Sequence, residues 1–292
     1  MKKEKISTNK LYKIFVYVAL ITLAISIIVP VAWVFMSSLK TSAEFQGNPW
    51  TLPGSFYIQN FIDAFEKANM AGYFLNSIIV TFLALVILVV VSLPAAYVLA
   101  RFNFKGKKFI SAAFMGGLFI NVNYVVVPIF LMLTSWDDVF YDLIGGSLFL
   151  DNIVVLAVVY AATAIPFTVY LLSSYFRTLP KAYEEAAFID GCGFFKTMIK
   201  VMAPMAKPSI ITVILFNFLA FWNEYIIALT LMPGASKTLP VGLVTLSKGQ
   251  MAAANFGQLY AGLVIVMLPT LILYIMVQKR LTQGMTLGGL KD

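Results

Sequence analysis

Long apolar stretches alternate along this chain with short segments where charge, glycine, proline and asparagine cluster. A helix needs roughly 20 apolar residues to cross a bilayer. Six stretches reach that length: 14–39, 73–100, 109–134, 152–176, 208–232 and 256–278. None alternates with the two-residue period of a barrel strand. The pattern predicts an all-α membrane protein with six transmembrane helices. Pro30, Pro94, Pro128, Pro166 and Pro269 fall inside these stretches. Neighbouring helices in a bundle can satisfy the carbonyls that proline frees, so packed kinks account for them. Ala112/Gly116 and Ala113/Gly117, each four residues apart, suit close helix–helix approach.

One polar interruption stands apart. Glu184-Glu185-Ala186-Ala187-Phe188-Ile189-Asp190-Gly191 lies between the fourth and fifth apolar stretches. Pro180 suits a helix start, because its missing N–H would be unpaired there. Gly191 suits a left-handed C-terminal cap. The bracketing predicts a helix of about ten residues, roughly 15 Å long.

Composition agrees with the pattern. The chain is 61% hydrophobic and 12% charged over 292 residues, against roughly 25% charged in soluble domains. Water-soluble classes are excluded. Histidine is absent and Cys192 is the single cysteine, which removes the commonest general base and any intrachain disulfide. The run after Lys2, Lys3, Lys5, Lys10 and Lys13 is too long for a signal peptide and lacks a small-x-small cleavage site, so it reads as a retained first helix.

The net charge of +8 then acquires a location. With the N-terminus inside, 17 of the 21 lysines and arginines fall on inner segments; Lys40, Lys67, Lys237 and Lys248 fall outside. The positive-inside rule sets the orientation: a multi-pass protein of the cytoplasmic (inner) cell membrane, with both termini cytoplasmic. A nucleic-acid partner has no remaining support. The expected organisation is a cytoplasmic N-terminus at 1–13, a six-helix transmembrane domain at 14–279 with a polar loop at 178–207, and a cytoplasmic tail at 280–292.

Chemistry is sparse. Gly234-Ala235-Ser236-Lys237-Thr238 lacks the first glycine of a phosphate loop, and no His-based triad or Cys/His metal set exists. Asp137, Asp138, Asp142 and Asp151 share an external segment at 135–151, yet their spacing is not that of a calcium loop, and they read as a solvated acidic loop. The other external segments, 40–72 and 232–255, are rich in proline and aromatic residues; the first reads as an ordered loop at the outer interface. Glu224 is the one carboxylate within an apolar span. Intramembrane ionisable groups are functional candidates by default, so Glu224 invites an ion-coupled carrier reading, with structural pairing as the alternative. Asn217, two turns earlier, shares its helical face. Trp222 and Asn223 could offer a sugar stacking and hydrogen bonding.

The spacing Glu185-Ala186-Ala187, three residues, Gly191, nine residues, then Val201-Met202-Ala203-Pro204 resembles the EAA loop of ABC importer permeases, E-A-A-x3-G-x9-I-x-L-P. Val201 and Ala203 replace the usual Ile and Leu. Ser38-Leu39-Lys40, Asn48-Pro49-Trp50, Asn60-Phe61, Asn76-Ser77, Trp222-Asn223, Leu239-Pro240 and the tail Gly284-Met285-Thr286-Leu287-Gly288-Gly289-Leu290-Lys291 look like the carbohydrate-uptake branch. Within that branch the chain looks like the second permease subunits of maltose-type importers. The resemblance implies a related permease partner, two cytoplasmic ATPases that hold ATP and Mg, an extracytoplasmic solute-binding protein and a carbohydrate substrate. This chain would bind no cofactor and be no enzyme. The resemblance also implies that residues 184–191 form a coupling helix in an ATPase cleft, anchored by Phe188 and Ile189, with Glu184, Glu185 and Asp190 facing polar partners. It further implies that segment 232–255 reaches the binding protein and that 287–292 touches the ATPase.

Overall fold

The computed structural model describes residues 2–66, 69–144, 148–252 and 255–289, and every regular element among them is helical. Five helices are long and apolar enough to cross a membrane, or up to six if the bent pair Phe194–Met205 and Lys207–Trp222 counts as one span. The chain divides into two compact units, 1–70 with 243–268 and 71–242 with 269–292.

In the first unit, α1 (Lys2–Ser38) is apolar over residues 12–38, and its most apolar window is entirely unburied. A short α2 (Ser42–Gly47) follows. Thr41 and Glu44 form a capping box at its start, and the Thr41 N–H and hydroxyl hold the Glu44 carboxyl below its ordinary pKa. Buried in α3 (Gln59–Glu66), Asn60 donates to Ser38 O (2.9 Å) and Lys40 O (2.8 Å), satisfying carbonyls at the end of α1. Lys40 is fully buried, and its Nζ donates to Pro49 O at 2.9 Å and Asn48 O at 3.3 Å. The Trp33 ring meets Phe45, Trp50 and Tyr260, and its Nε1 donates to Pro49 O. The segment expected to be an ordered external loop is thus a helix-containing knot around one buried lysine.

The second unit holds α4 (Met70–Arg101) from Ala71 onward, α5 (Lys107–Gly117), α6 (Val122–Ile144) and α7 (Ile153–Thr178). The polar segment that follows contains α8 (Ala182–Ile189) and α9 (Phe194–Met205), the latter with a π turn at Met198–Met202. Then come α10 (Lys207–Trp222) and α11 (Ile226–Leu231), followed by α12 (Leu239–Ala252) and α13 (Phe256–Gly289), which divide between the units after Gly242 and after Leu268. The five interior prolines all remain within helices. One apolar cluster joins α4, α6, α7 and α11 through Leu88, Leu133, Tyr160 and Ile227. A second joins α4, α7, α9 and α10 through Tyr97, Phe176, Met202 and Val213.

Three expectations change. The third span, 109–134, is two helices: α5 ends at Gly117 and α6 restarts at Val122, where Asn121 Oδ1 accepts the Asn123 N–H at 2.9 Å. Adjacent glycines weaken helix propagation and the asparagine caps the next start. Of the two small-residue pairs, Gly117 faces a neighbour: a Cβ there would lie 2.9 Å from Pro166 Cγ, whereas Gly116 faces open space. Finally, Ser135–Ile144 is helical rather than looped, and Asp137 is buried. Asp137 accepts the N–H groups of Leu148, Phe149 and Leu150 at 2.6–2.8 Å, so it organises the following turn instead of facing solvent.

Candidate functional site

Pro180 precedes α8 without entering it. Lys181 is the N-cap, and Glu184 and Glu185 occupy the first turn, where negative charge suits the helix dipole. The helix is eight residues long, two shorter than expected. Its end is a Schellman closure. The Cys192 N–H donates to Ala187 O at 2.9 Å and the Gly191 N–H to Phe188 O at 3.0 Å, with Gly191 at φ +77°. A side chain at that φ costs about 1–2 kcal/mol. No atom lies within 4 Å of where a Gly191 Cβ would stand, so the chain itself leaves that side open.

The two faces of α8 differ. Glu184 and Ala187 are buried; Glu185, Ala186, Phe188, Ile189 and Asp190 are exposed, Ile189 at 86%. Glu184 therefore departs from the outward-facing role expected of it. Its Oε1 lies 3.3 Å from Arg101 Nε, an ion pair buried on both sides. Arg101 also donates through Nη2 to Leu179 O at 2.7 Å. The last residue of α4 thus grips both the entry to α8 and its first turn. Phe188 is partly turned inward as well. It packs edge-on to Phe194 (5.1 Å between centroids), which meets Phe102 (5.4 Å), which meets Tyr97 (5.6 Å), which meets Phe176. An aromatic chain links α8 to the ends of α4 and α7. Pro204 is exposed in the last turn of α9, two residues before Ala206, where the helix axis bends by 77° into α10.

Glu224 does not sit inside a continuous helix. The span expected at 208–232 breaks after Trp222, and Asn223, Glu224 and Tyr225 form the gap. Glu224 caps the next helix: Oε1 accepts from Ile227 N (2.8 Å), and Oε2 accepts from Ala228 N (3.0 Å) and the Tyr160 hydroxyl (2.8 Å). Glu224 lies beyond the end of the helix that holds Asn217, yet both side chains reach α7, at Tyr160 and Thr168. Asn217 is buried and donates to Thr168 Oγ1 on α7 (3.1 Å) and to Val213 O. Trp222, 2% exposed, stacks on Phe218 and meets Phe74 edge-on. Asn223 is exposed, with Nδ2 bonded to Leu219 O.

Several motif fragments that are scattered along the sequence meet in space. Within the first unit, Ser38–Lys40, Asn48–Pro49 and Asn60 are one hydrogen-bonded set. Within the second, Asn76 Nδ2 donates to Lys237 O at 3.0 Å and the Leu239 N–H donates to Ser77 Oγ at 2.7 Å. Arg101, Phe102, Tyr160, Thr168 and Phe194 were missed as site residues. Arg101 entered only as one of the inner positive charges, and no local signal marks the rest.

Five or six apolar helices, with a short polar helix between the fourth and the broken fifth, define a multi-pass membrane protein. The chain belongs to the family described as binding-protein-dependent transport system inner membrane component, which matches residues 70–286. It is 34% identical over 283 residues to a diacetylchitobiose uptake system permease protein of Streptomyces coelicolor, covering 97% of this chain and 90% of that one. It is 29% identical to a sulfoquinovosyl glycerol transport system permease protein of Agrobacterium fabrum (94% and 93% covered) and 28% identical to a trehalose transport system permease protein of Mycobacterium tuberculosis (90% and 92%). The fold matches a chain in the crystal structure of a bacterial ABC transporter involved in the import of the acidic polysaccharide alginate, with TM-score 0.77, 22% identity, and 93% and 97% coverage. The resemblance to ABC importer permeases drawn from the EAA spacing agrees with these findings.

Proposed function

We propose that this permease subunit carries a sugar or oligosaccharide inward, and that α8 is its cytoplasmic coupling helix. The carrying observation is the two-faced build of α8. Its inner side is locked to α4 by the Arg101–Glu184 pair, while Glu185, Ile189, Asp190 and the open side of Gly191 point away from the chain. A helix clamped on one side and free on the other can move as a rigid lever. A partner ATPase seated on the free side, through Ile189 with Glu185 and Asp190, would pass its closure to α4 through Arg101 and to α7 through the aromatic chain. ATP shifts the inward–outward equilibrium only as far as it binds the two states differently.

The rest of the assembly follows from the family: a second related permease, two ABC ATPases that bind ATP and Mg, and a solute-binding protein outside. The bias of 17 inner lysines and arginines to 4 supports both termini lying in the cytoplasm. Carbohydrate is favoured as cargo because the relatives above are named for sugar uptake. Asn223, exposed at the helix break, is the pathway candidate best placed to meet a solute; Asn217, Trp222 and Glu224 act from behind it by holding the break. An ion-coupled carrier built on Glu224 gains no support from the relatives. Three donors already occupy its carboxylate.

Gly191→Asp tests the coupling role. The expected result is loss of uptake and release of the ATPase while the two permeases still assemble. The chain leaves room for that side chain, but any side chain at φ +77° strains the helix end; Gly191→Ala carries that strain alone, so the further loss in Gly191→Asp reports the partner surface. Normal coupled uptake in this variant would overturn the assignment. Calorimetric binding of a sugar panel to the cognate solute-binding protein tests the cargo, with failure of every sugar arguing against it.

A further inference from the structure

We propose that α9 is an interfacial helix that rests on the anionic inner leaflet of the membrane, with Phe195 and Ile199 in the acyl boundary and Lys196 and Lys200 on lipid phosphates. The proposal rests on the cytoplasmic placement of the polar segment given above. Geometry comes first. Ala206 alone separates α9 from α10, so the end of α9 lies at the depth where α10 enters the bilayer. At about 1.5 Å per residue α9 is about 18 Å long. With a 77° bend and α10 along the membrane normal, its far end departs from that depth by only about 4 Å. The headgroup layer is roughly 5–7 Å thick on each side, so the whole of α9 stays within it.

The side chains fit that position. Thr197, Met198 and Met202 are buried, the two methionines in the cluster shared with α4, α7 and α10, which fixes the rotation of the helix. The opposite side carries two adjacent stripes with four-residue spacing: Phe195 (70% exposed) with Ile199 (48%), and Lys196 with Lys200, both exposed. Lys207, exposed at the start of α10, adds a third basic side chain just past the bend. None of these three ammonium groups has an ion pair among the described residues. An apolar stripe beside a basic one, on a helix lying in the membrane plane, is the arrangement that binds anionic lipid. A soluble partner would have no reason to require both stripes at headgroup depth; a phospholipid surface requires both there.

The test uses the assembled importer in bilayers. In a Cys192→Ser background, a nitroxide is placed at Phe195→Cys, and its relaxation by oxygen and by a water-soluble nickel chelate is compared. The expected result is access by oxygen over nickel. Access by nickel, or shielding from both as under a docked protein, would overturn the proposal. Uptake by the unmodified assembly should be several-fold faster in phosphatidylglycerol than in phosphatidylcholine vesicles, and Lys196→Gln/Lys200→Gln should cut that preference to less than twofold. A preference that survives the double substitution also counts against it. Retention of the ATPase during purification is scored separately. If the ATPase stays bound and the label is shielded, the lipid contact alone fails. If the ATPase is not retained by the unmodified permeases, the coupling assignment fails and the depth measurement still decides the lipid contact.

Discussion

Arg101 shows how one side chain can serve a lever. Its guanidinium joins Glu184 and Leu179 O in a buried setting, where a charge left without its partner is expensive. Arg101→Gln or Glu184→Gln should each destabilise by roughly 3–5 kcal/mol. Replacing both together should cost less than the sum, as a double-mutant cycle on thermal unfolding in detergent would measure. Additive losses would mean the pair is not coupled. A similar logic applies at Gly257. A Cβ there would lie 2.5 Å from Asn60 Nδ2 and 2.6 Å from Lys40 O, so Gly257→Ala must displace the asparagine that closes α1. About 1–3 kcal/mol of lost stability is expected from such overpacking, read as a lower Tm; an unchanged Tm would show that Asn60 can yield.

Among elements, the broken fifth helix is the most consequential. A carboxylate in the gap between α10 and α11 satisfies two orphan N–H groups and ties both to α7 through Tyr160. Glu224→Gln keeps the shape and removes the charge. It should weaken the cap by about 1.5–3 kcal/mol, the worth of hydrogen bonds to a charged group, and lower uptake without making the remainder sensitive to collapse of the proton gradient. A remainder abolished by an uncoupler while ATP stays constant would revive the ion-coupled reading. The elements also show where periodicity misleads. Hydropathy merges α5 with α6 and α10 with α11, because apolar content continues across a break made by two glycines or by an asparagine and a glutamate.

At the scale of the whole molecule, the apolar window of α1 buries nothing within its own chain. The exposed apolar side chains from Ile14 to Val29 cannot face water; they require lipid or another membrane helix. Cysteine pairs between α1 and the partner permease, scanned by cross-linking in the assembled importer, should react only on one stripe of the helix, with the remaining positions accessible to lipid-soluble probes. Reactivity with a water-soluble maleimide along the full length of 14–29 would contradict a transmembrane α1.

The apolar runs, the charge bias behind the expected orientation and the EAA spacing are all legible in one dimension. Each depends on properties summed over neighbours in sequence: apolar length, lysine count, and the local spacing from Glu185 to Gly191. The left-handed Gly191 was readable for the same reason, since a helix end is a local event. Tertiary structure alone decided which glutamate faces inward, because Glu184 and Glu185 are adjacent, chemically identical and separated only by the rotation that Arg101, 83 positions away, imposes on α8. It alone turned Asp137 from a loop charge into the anchor of a turn and Glu224 from a span charge into a helix cap, since a carboxylate takes its role from the N–H groups that folding brings to it.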